Sequence, residues 1–396
     1  MVGCVILKRG RDKSVRHGHP WVFSGAVGQW KGGGEDGVVA VLADGGAWLG
    51  WGLGVPGASL AVRLYSRDRG DVLGAEFFRR RLDRALALRE RCFSGRKDGT
   101  NACRLVYAEA DGVSGFIADR YADVLSIQVS AKALVPFLAD MVGFLKERTG
   151  CRRVCIVPTP DAADREGLDA EQLRPLGTDA AVSTEIVENG FRFRVHCGAG
   201  QKTGYFLDQM ENRMRVAAWA GGRSVLSAYC YTGGFDVPAA AAGATSILGL
   251  DRSEAALEMA RDNLRLNGSA CPAEYRRADV PSAMRAMVKE HRLFGLIVLD
   301  PPRLVAASSQ KEKGMRAYKD VNRLAMALLE PGGILASFSC SGLVSAADLK
   351  MAIGWAAVDT GRDVRIVETL GQPADHPVLA VFPESEYLKG VIAFVD

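Results

Sequence analysis

The alternation of apolar and polar positions divides the chain into three regions. Residues 1–72 contain short apolar stretches separated by turn signals at residues 32–34, 44–46 and 55–57, where glycine and proline concentrate. Short strands with such turns are typical of a small β-barrel-like module. We therefore expect a β-rich first domain over residues 1–72, with few helices.

The second region, residues 73–189, mixes helical and strand patterns and predicts a central α+β domain. A helix is predicted from residue 75 to about 91. Its apolar members are Phe77, Phe78, Leu82, Leu86 and Leu88, and its polar members are Arg79, Arg80, Arg81 and Arg84. Strands are predicted at residues 103–109, 124–129 and 153–157, a second helix at 134–148, and a loop at 158–178.

The third region, residues 190–396, alternates regularly between strand and helix patterns. The predicted strands are residues 224–229, 246–250, 274–277, 293–299, 333–338 and 364–370. Alternation of this kind builds an open parallel sheet that is covered by helices on both faces. The sequence therefore predicts an α/β fold for this region.

Composition restricts the class of protein. The 396-residue chain is 48% hydrophobic and 24% charged, which is typical of globular proteins with two or three domains. Its longest apolar runs are far shorter than the roughly 20 residues that span a bilayer, and its first residues do not form a signal peptide. We expect a soluble, cytoplasmic protein that does not contact a membrane.

Positive charge is concentrated near the N-terminus. Residues 1–100 hold 17 Lys and Arg against 10 Asp and Glu, whereas the rest of the chain holds 33 against 36. Because Lys and Arg supply most of the non-specific affinity for nucleic acids, the imbalance is a weak indication of a polyanion at this end. A solvated basic surface explains the same counts.

The cysteines indicate neither a disulfide framework nor a zinc ribbon. Their number, nine, is odd, they are scattered, and none forms a C-x-x-C pair. Cys151 and Cys155 come closest to a pair, and we interpret them as buried structural thiols rather than as metal ligands. No bound metal is expected.

The third region contains a candidate cofactor site. The turn at residues 228–235 lacks the G-x-G-x-x-G spacing that binds a pyrophosphate, so a dinucleotide is disfavoured. Asp251, Asp279 and Asp300 each end a predicted strand. A single Asp in such a position is more often a helix N-cap than a ligand. Three aspartates at one edge of the sheet suit a ligand that is a nucleoside with a positive sulfonium and no phosphate. S-adenosylmethionine is such a ligand, and Asp251 can accept hydrogen bonds from its ribose hydroxyls.

Cys340 follows another predicted strand and should lie at the same edge as Asp300. Carbon 5 of a pyrimidine is a poor nucleophile until a group adds to carbon 6, and a thiolate is well suited to this addition. An ordinary thiol has a pKa of about 8.5, so activation is required. Lys319 and Arg303 are candidates by their proximity in sequence. A buried cysteine without a function is the alternative.

Several motifs together closely resemble the bacterial ribosomal RNA large subunit methyltransferase I family, over essentially the whole chain. They are residues 19–27 (HPWVFSGAV), 202–209 (KTGYFLDQ), 231–235 (YTGGF), 300–302 (DPP), 318–320 (YKD), 338–343 (FSCSGL) and 374–377 (ADHP). Some of these motifs are unspecific when taken individually, but their order along the chain is specific. Arg303, where the family often has Lys, and Gln201, where it often has His, are departures that leave the interpretation intact.

The resemblance implies an N-terminal PUA domain that binds RNA, a central α+β domain, and a C-terminal Rossmann-like class I methyltransferase domain. It implies that the chain makes 5-methylcytosine in 23S ribosomal RNA with Cys340 as the nucleophile. The cytosine would be taken out of its stack, Cys340 would add to C6, and Asp300 would hydrogen-bond the Watson–Crick edge.

On this interpretation the residues fall into three groups. The predicted catalytic residues are Cys340 and Asp300. The predicted cofactor site comprises Phe206, Gln209, Arg213, Tyr231, Thr232, Gly233, Gly234, Phe235, Asp251, Ser253, Asp279, Asp300 and Pro301. The predicted RNA contacts are Lys8, Arg16, Trp21, Arg303 and Lys319. The oligomeric state stays open, with a homodimer as one alternative.

Three alternative functions fit the sequence less well. A 5-methyluridine enzyme shares the cysteine chemistry, but there Asn-Pro usually follows the Ser-Cys pair, whereas Ser341 and Gly342 follow it here. A guanine N-methyltransferase needs no thiol, so Cys340 argues against it. A non-catalytic RNA-binding protein would be suggested by the loss of Asp251, Asp300 or Cys340, and all three are present.

Overall fold

The computed structural model describes residues 3–33, 37–198 and 203–396. Gly34 of the first predicted turn lies outside the described residues, as do Gln201 and Lys202 of the family-like segment.

The first region forms a six-stranded sheet in the order β2-β6-β5-β4-β1-β3. Its elements are β1 (Gly3–Leu7), α1 (Lys13–Arg16), β2 (Trp21–Phe23), β3 (Val27–Lys31), β4 (Val38–Leu42), β5 (Trp48–Gly54) and β6 (Leu60–Ser66). Alternate residues of β1 and β4 are buried, so one face of these strands packs into a core that includes Val5 and Val41. The prediction of a β-rich first region is confirmed.

The second region packs two helices on a four-stranded sheet of order β10-β9-β8-β7. Its elements are α2 (Ala75–Phe93), β7 (Ala102–Tyr107), β8 (Phe116–Tyr121), β9 (Val124–Val129), α3 (Val135–Thr149), β10 (Arg153–Pro158), α4 (Pro160–Glu166) and α5 (Ala170–Leu173). Strand β8 was not predicted, because Asp119 and Arg120 interrupt its apolar pattern. Leu88, predicted as an apolar member of α2, is 38% exposed.

The predicted loop at residues 158–178 is wrong in part, because α4 and α5 lie within it. Both helices begin at a side-chain cap. The Thr159 side chain accepts a hydrogen bond from the Ala162 N–H, and the Asp169 side chain accepts one from the Glu171 N–H. Leu168 and Leu173 are buried in the core of the second region. Short capped helices with so few apolar residues leave no periodic pattern in the sequence.

A two-stranded antiparallel hairpin, β11 (Val182–Glu188) and β12 (Phe191–Cys197), leads toward the third region. Its turn is Asn189-Gly190, with φ values of +52° and +83°. Positive φ at both central residues is the geometry that matches strand twist in a tight hairpin. The domain boundary predicted between residues 189 and 190 falls inside this turn. The limits of the three domains stay predictions.

The third region forms a seven-stranded sheet of order β15-β14-β13-β16-β17-β19-β18. Its elements, with the helix before it, are α6 (Met210–Ala217), β13 (Ser224–Ala228), α7 (Asp236–Ala241), β14 (Ser246–Asp251), α8 (Glu254–Leu266), β15 (Ala273–Arg277), α9 (Val280–Lys289), β16 (Phe294–Leu299), α10 (Lys311–Ala327), β17 (Leu329–Ser339), α11 (Ala346–Thr360), β18 (Val364–Gly371) and β19 (Lys389–Val395). Every residue of β16 is buried, as expected of a central strand covered on both faces.

The α/β prediction is confirmed, but the sheet is not parallel throughout. The five strands from β15 to β17 pair in parallel. Strand β19 lies between β17 and β18 and runs antiparallel to both. Its position next to β17 brings its first residue, Lys389, beside Ser339 and the loop that follows.

The loop between β18 and β19 contacts both other regions. The Trp21 ring packs edge-on against Phe382, with 4.7 Å between the ring centroids, and Trp21 Nε1 donates a hydrogen bond to Glu109 at 2.9 Å. Arg89 donates to the Asp375 carbonyl at 2.8 Å. These contacts fix the carboxyl edge of the third sheet relative to the first and second regions.

Candidate active site

The turn between β13 and α7 has an unusual backbone conformation. Tyr229 and Tyr231 have φ values of +64° and +48°, and Gly233 has +75°. Residues other than glycine rarely adopt positive φ, and where they do, the surrounding structure must stabilise them. Here strand β14 does so, because the Cys230 N–H donates to the Leu250 carbonyl at 3.0 Å and the Tyr231 N–H donates to Asp251 Oδ2 at 3.0 Å. Such strain is concentrated at functional sites in proteins.

Asp251, predicted to bind ribose, lies at the end of β14 next to this turn. Its Oδ1 accepts a hydrogen bond from the Ser253 N–H at 2.9 Å, and its Oδ2 accepts the bond from Tyr231. Each carboxylate oxygen has two lone pairs, so two backbone bonds leave acceptor capacity for two hydroxyls. The carboxylate is therefore oriented by the backbone and still able to bind a ligand.

Two half-buried aromatic rings lie at the same turn. Phe206 and Tyr231 are in edge-to-face contact, with ring centroids 5.1 Å apart. The Phe206 carbonyl accepts a hydrogen bond from Arg213 at 2.7 Å. The structure thus brings together the predicted residues Phe206, Tyr231 and Asp251, which lie far apart in sequence.

Arg213 is buried behind the turn and forms an ion pair that the sequence did not predict. Its guanidinium binds both carboxylate oxygens of Glu188, at 2.7 and 3.0 Å, and stacks over Tyr205. A Cβ on Gly234 would lie 2.7 Å from Arg213 Nε, so the turn can approach α6 this closely because position 234 lacks a side chain. Phe235 is the N-cap residue of α7 and packs against Phe338.

Buried polar atoms without a hydrogen-bond partner are found around the same turn. Among the described residues, they include Gln209 Nε2, Arg213 Nε and Thr232 Oγ1. Buried polar groups in proteins are nearly always paired, so such atoms indicate a place where a polar ligand or water binds. This is the feature expected of a cofactor pocket.

Asp279 and Ser253 also act as helix caps. The Asp279 side chain accepts a hydrogen bond from the Ser282 N–H at the start of α9, and the Ser253 side chain accepts one from Ala256 N–H at the start of α8. Asp279 is ion-paired with Arg252, and this hydrogen-bonded partner lowers the pKa of the Asp279 carboxyl. Helix capping thus accounts for the presence of both residues at these positions. Their role in cofactor binding stays a prediction.

Cys340 and Asp300 lie at the ends of neighbouring strands, as predicted. Strands β16 and β17 pair in parallel with Leu299 opposite Ser337. Cys340 Sγ lies 3.9 Å from the carbonyl oxygen of Pro301, the residue that follows Asp300. The Cys340 side chain is half-buried.

The serines on either side of Cys340 are anchored on α10. Ser339 Oγ donates a hydrogen bond to the Tyr318 hydroxyl at 2.8 Å, and Ser341 Oγ lies 3.0 Å from the same hydroxyl. Both serines are fully buried. Because side chains alternate along an extended chain, fixing these two serines directs the intervening Cys340 to the other side.

The predicted basic and RNA-binding residues have different surroundings. Lys319 forms an ion pair with Asp359 at 2.7 Å, and Arg303 is exposed. Lys8 is exposed and donates to the Gly25 carbonyl at 3.2 Å. Arg16 pairs with Asp12 at 2.6 Å. The indole N–H of Trp21 donates a hydrogen bond to the Glu109 carboxylate.

Lys389 is the functional candidate that the sequence analysis missed. It begins β19, is 5% exposed, and donates a hydrogen bond to the carbonyl of Ser341 at 3.0 Å. A lysine at the start of the apolar segment Lys389–Val395 was a usable signal, because lysine is almost never buried without a partner.

Two further structural findings concern the described residues. No group of three or more His, Cys, Asp or Glu side chains is arranged there to hold a metal ion. No helix within that part of the chain has the length and apolar composition needed to cross a membrane.

Comparisons with known proteins agree with this geometry. Residues 170–384 match a family described as S-adenosylmethionine-dependent methyltransferase, and residues 5–67 match a PUA-like domain. The chain is 40% identical over 393 residues to ribosomal RNA large subunit methyltransferase I of Shewanella denitrificans, with 98% of each chain covered. It belongs to the ribosomal RNA large subunit methyltransferase I family.

Another member of the methyltransferase I family, from Klebsiella pneumoniae, is 36% identical over 391 residues and covers 98% of this chain and 96% of its own. The fold matches that of a protein from Streptococcus mutans described as an S-adenosylmethionine-dependent methyltransferase, with a TM-score of 0.82, 19% identity and full coverage of both chains. A methyltransferase structure complexed with SAH matches with a TM-score of 0.83 and 19% identity, again over both whole chains.

These findings confirm the predicted architecture for this family member. The PUA-like domain corresponds to the first sheet, and the methyltransferase match includes the strands from β13 to β18. The predicted cofactor, S-adenosylmethionine, is confirmed by the family.

Proposed function

We propose that this methyltransferase I family member methylates carbon 5 of a cytosine in 23S ribosomal RNA, through a covalent bond between Cys340 and carbon 6. The names of its relatives support ribosomal RNA of the large subunit as the substrate. The observation that carries the proposal is the approach of Cys340 Sγ to the Pro301 carbonyl, because it puts a thiol beside the residue that follows Asp300.

The pocket at the β13–α7 turn fits S-adenosylmethionine. Asp251 has the acceptor capacity for the two ribose hydroxyls, and Phe206 and Tyr231 offer aromatic surface beside it. The buried Gln209 Nε2 and Thr232 Oγ1 can pair with polar groups of the cofactor. When bound, the cofactor supplies an electrophilic methyl group. Arg213 acts here mainly by holding the Phe206 carbonyl, since its guanidinium is paired with Glu188.

The protein residues carry out the remaining chemistry. The target cytosine leaves its stack, at a cost of a few kcal/mol that is smaller for an unpaired base. The Cys340 thiolate forms a bond from Sγ to C6, which makes C5 nucleophilic, and C5 accepts the methyl group. Asp300 hydrogen-bonds the N3 and N4 edge of the ring. A base then removes the proton from C5, and the bond between Sγ and C6 breaks to release the thiolate.

Substrate RNA is held by the first region and by residues near Cys340. The excess of 17 basic over 10 acidic residues in the first hundred provides attraction for phosphates. Lys8 is exposed and donates a hydrogen bond to the Gly25 carbonyl at the surface, and Arg303 is exposed two residues from Pro301.

The nucleophile is tested by replacing Cys340 with alanine. Cys340→Ala should abolish transfer of a radiolabelled methyl group to unmodified 23S ribosomal RNA, whereas Cys271→Ala, another partly exposed thiol, should retain wild-type activity. RNA that contains 5-fluorocytidine should trap the wild-type enzyme covalently, because a fluorine at C5 cannot leave as a proton. Methyl transfer by Cys340→Ala at the wild-type rate refutes the covalent route.

The base is tested by mass spectrometry of the product nucleosides. We expect 5-methylcytidine. A 5-methyluridine product would keep the role of Cys340 and change the base, and a methylated guanosine would contradict the whole mechanism.

A further inference from the structure

The loop that carries Cys340 packs against a buried lysine on the neighbouring antiparallel strand. Lys389 lies opposite Ser339 in the pairing of β17 with β19. Its side chain is 5% exposed, although it carries an ammonium group. The position is a consequence of the antiparallel insertion of β19, which brings the first residue of that strand next to the end of β17 that precedes Cys340.

Two backbone carbonyls hold the ammonium in place. Lys389 Nζ donates to the Ser341 carbonyl at 3.0 Å and to the Tyr387 carbonyl at 3.0 Å. An ammonium has three N–H donors, so one remains for another acceptor. Both of these bonds go to neutral carbonyls and neither goes to a carboxylate. A buried cation that is paired only with carbonyls favours an anion nearby, because burial of an isolated charge is costly.

Three acidic groups interact with Lys389, namely Glu386, Cys340 and Asp348. Burial lowers the pKa of Lys389 and outweighs the interactions with these three groups, which raise it. Glu386, the largest of the three contributors, is exposed, so solvent screens its charge. Asp348 is already paired with Lys311 at 2.8 Å. Tyr318, on α10, also interacts electrostatically with Cys340, but burial raises the pKa of its hydroxyl, so it is neutral at physiological pH. Among these groups, the Cys340 thiolate is the one whose charge the proposed chemistry requires.

We propose that Lys389 is a positioning residue that stabilises Cys340 as a thiolate and, through the Ser341 carbonyl, fixes the loop that directs Sγ toward the substrate. The inference rests on the proposed function, in which Cys340 is the nucleophile. The thiol releases its proton to solvent, Lys389 keeps its three protons throughout, and the attraction between opposite charges in a water-poor site favours the ionised pair. Lys319, the cation predicted from sequence, is paired with Asp359 instead.

The test follows alkylation of Cys340 by iodoacetamide as a function of pH, with mass spectrometry of the Cys340 peptide as the readout. The thiolate is the reactive form, so the midpoint of the rate profile reports its pKa. In the wild-type protein, the midpoint should lie below the ordinary thiol value of about 8.5. A wild-type midpoint at or above that value overturns the proposal without the use of any variant.

Variants separate charge from shape. Lys389→Gln keeps amide donors for the Ser341 carbonyl but removes the charge, and it should raise the midpoint by about one pH unit or more. Lys389→Arg should restore the wild-type midpoint, because arginine is always charged. Tyr318→Phe removes the hydroxyl that contacts Ser339 and Ser341 without changing the charge, and it should leave the midpoint of the alkylation profile unchanged. An unchanged midpoint in folded Lys389→Gln, or an equal shift in Tyr318→Phe, refutes the role of Lys389.

The two proposals fail in distinguishable ways. If Cys340→Ala keeps methyl transfer while Lys389→Gln shifts the alkylation profile, the covalent mechanism is wrong and the electrostatic pairing stands. If Cys340→Ala is inactive and the alkylation profile is insensitive to Lys389, the nucleophile stands and Lys389 has only a structural role.

Discussion

Asp251 holds the backbone of Tyr231 across two neighbouring strand ends. Its Oδ2 accepts the Tyr231 N–H at 3.0 Å while Oδ1 accepts the Ser253 N–H at 2.9 Å. Tyr231 has a φ of +48°, a conformation that needs support from its surroundings. One carboxylate therefore shapes the turn and, in the proposed cofactor site, keeps acceptor capacity for a ribose.

The first prediction concerns cofactor affinity. Asp251→Ala should weaken binding of S-adenosylmethionine by tenfold or more, because hydrogen bonds to charged groups are worth about 1.5–3 kcal/mol and the turn also loses its support. Isothermal titration calorimetry measures the change. Asp279→Asn is the control, since asparagine caps a helix as well as aspartate does, and it should cost less affinity. Unchanged affinity in Asp251→Ala would contradict the pocket.

The second prediction concerns the buried pair of Glu188 and Arg213. Glu188→Ala should lower the free energy of unfolding by about 3–5 kcal/mol, because it leaves an uncompensated buried guanidinium. Urea denaturation measures the loss. Glu185, on the same strand, pairs with Arg192 at the surface, so Glu185→Ala should cost less than about 1 kcal/mol. Similar losses of unfolding free energy in both variants would show that the buried pair contributes no more to stability than the surface pair.

The third prediction concerns Asp236, which is fully buried at the start of α7. Burial raises the pKa of its carboxyl from 3.8 to about 6. Between these values the folded state binds more protons than the unfolded state, so this residue's contribution to stability falls as pH rises from about 4 to 6. Above about pH 6, the free energy of unfolding lost through ionisation of this carboxyl stays constant at about 3 kcal/mol.

Asp236→Asn removes this titration. Its melting temperature relative to wild type should therefore be higher at pH 7.5 than at pH 4.5, measured by thermal unfolding at both values. Asp140→Asn, at a half-exposed position, should show no comparable pH dependence. A difference between Asp236→Asn and wild type that does not change with pH would refute the raised pKa.

The fourth prediction concerns RNA binding. Lys8→Ala should weaken binding of 23S ribosomal RNA fragments to a similar degree for different sequences, and should reduce the slope of log affinity against log salt by about one. Lys319→Ala should have a smaller effect, because Lys319 is paired with Asp359. Filter binding over a range of salt concentrations measures both. An unchanged salt slope for Lys8→Ala would remove Lys8 from the RNA contacts.

Local sequence patterns determined much of the architecture. The alternation after residue 190 predicted the strands that became β13, β14 and β16, since buried parallel strands appear as apolar runs bounded by helices. The same reasoning placed Asp251, Asp300 and Cys340 at strand ends, because the carboxyl ends of parallel strands lie at one edge of a sheet. These features depend on residues close together in sequence.

Only the tertiary structure decided the contacts between distant segments. The insertion of β19 antiparallel to β17 places Lys389 opposite Ser339, although 50 positions separate them, and the pairing of Glu188 with Arg213 joins a hairpin to a helix. Neither contact leaves a periodic signal, because strand order and buried charge pairing follow from how whole elements pack together. The sequence by itself therefore determined that a thiol and carboxylates follow strands at one sheet edge, and packing decided which buried cation holds the loop that carries that thiol.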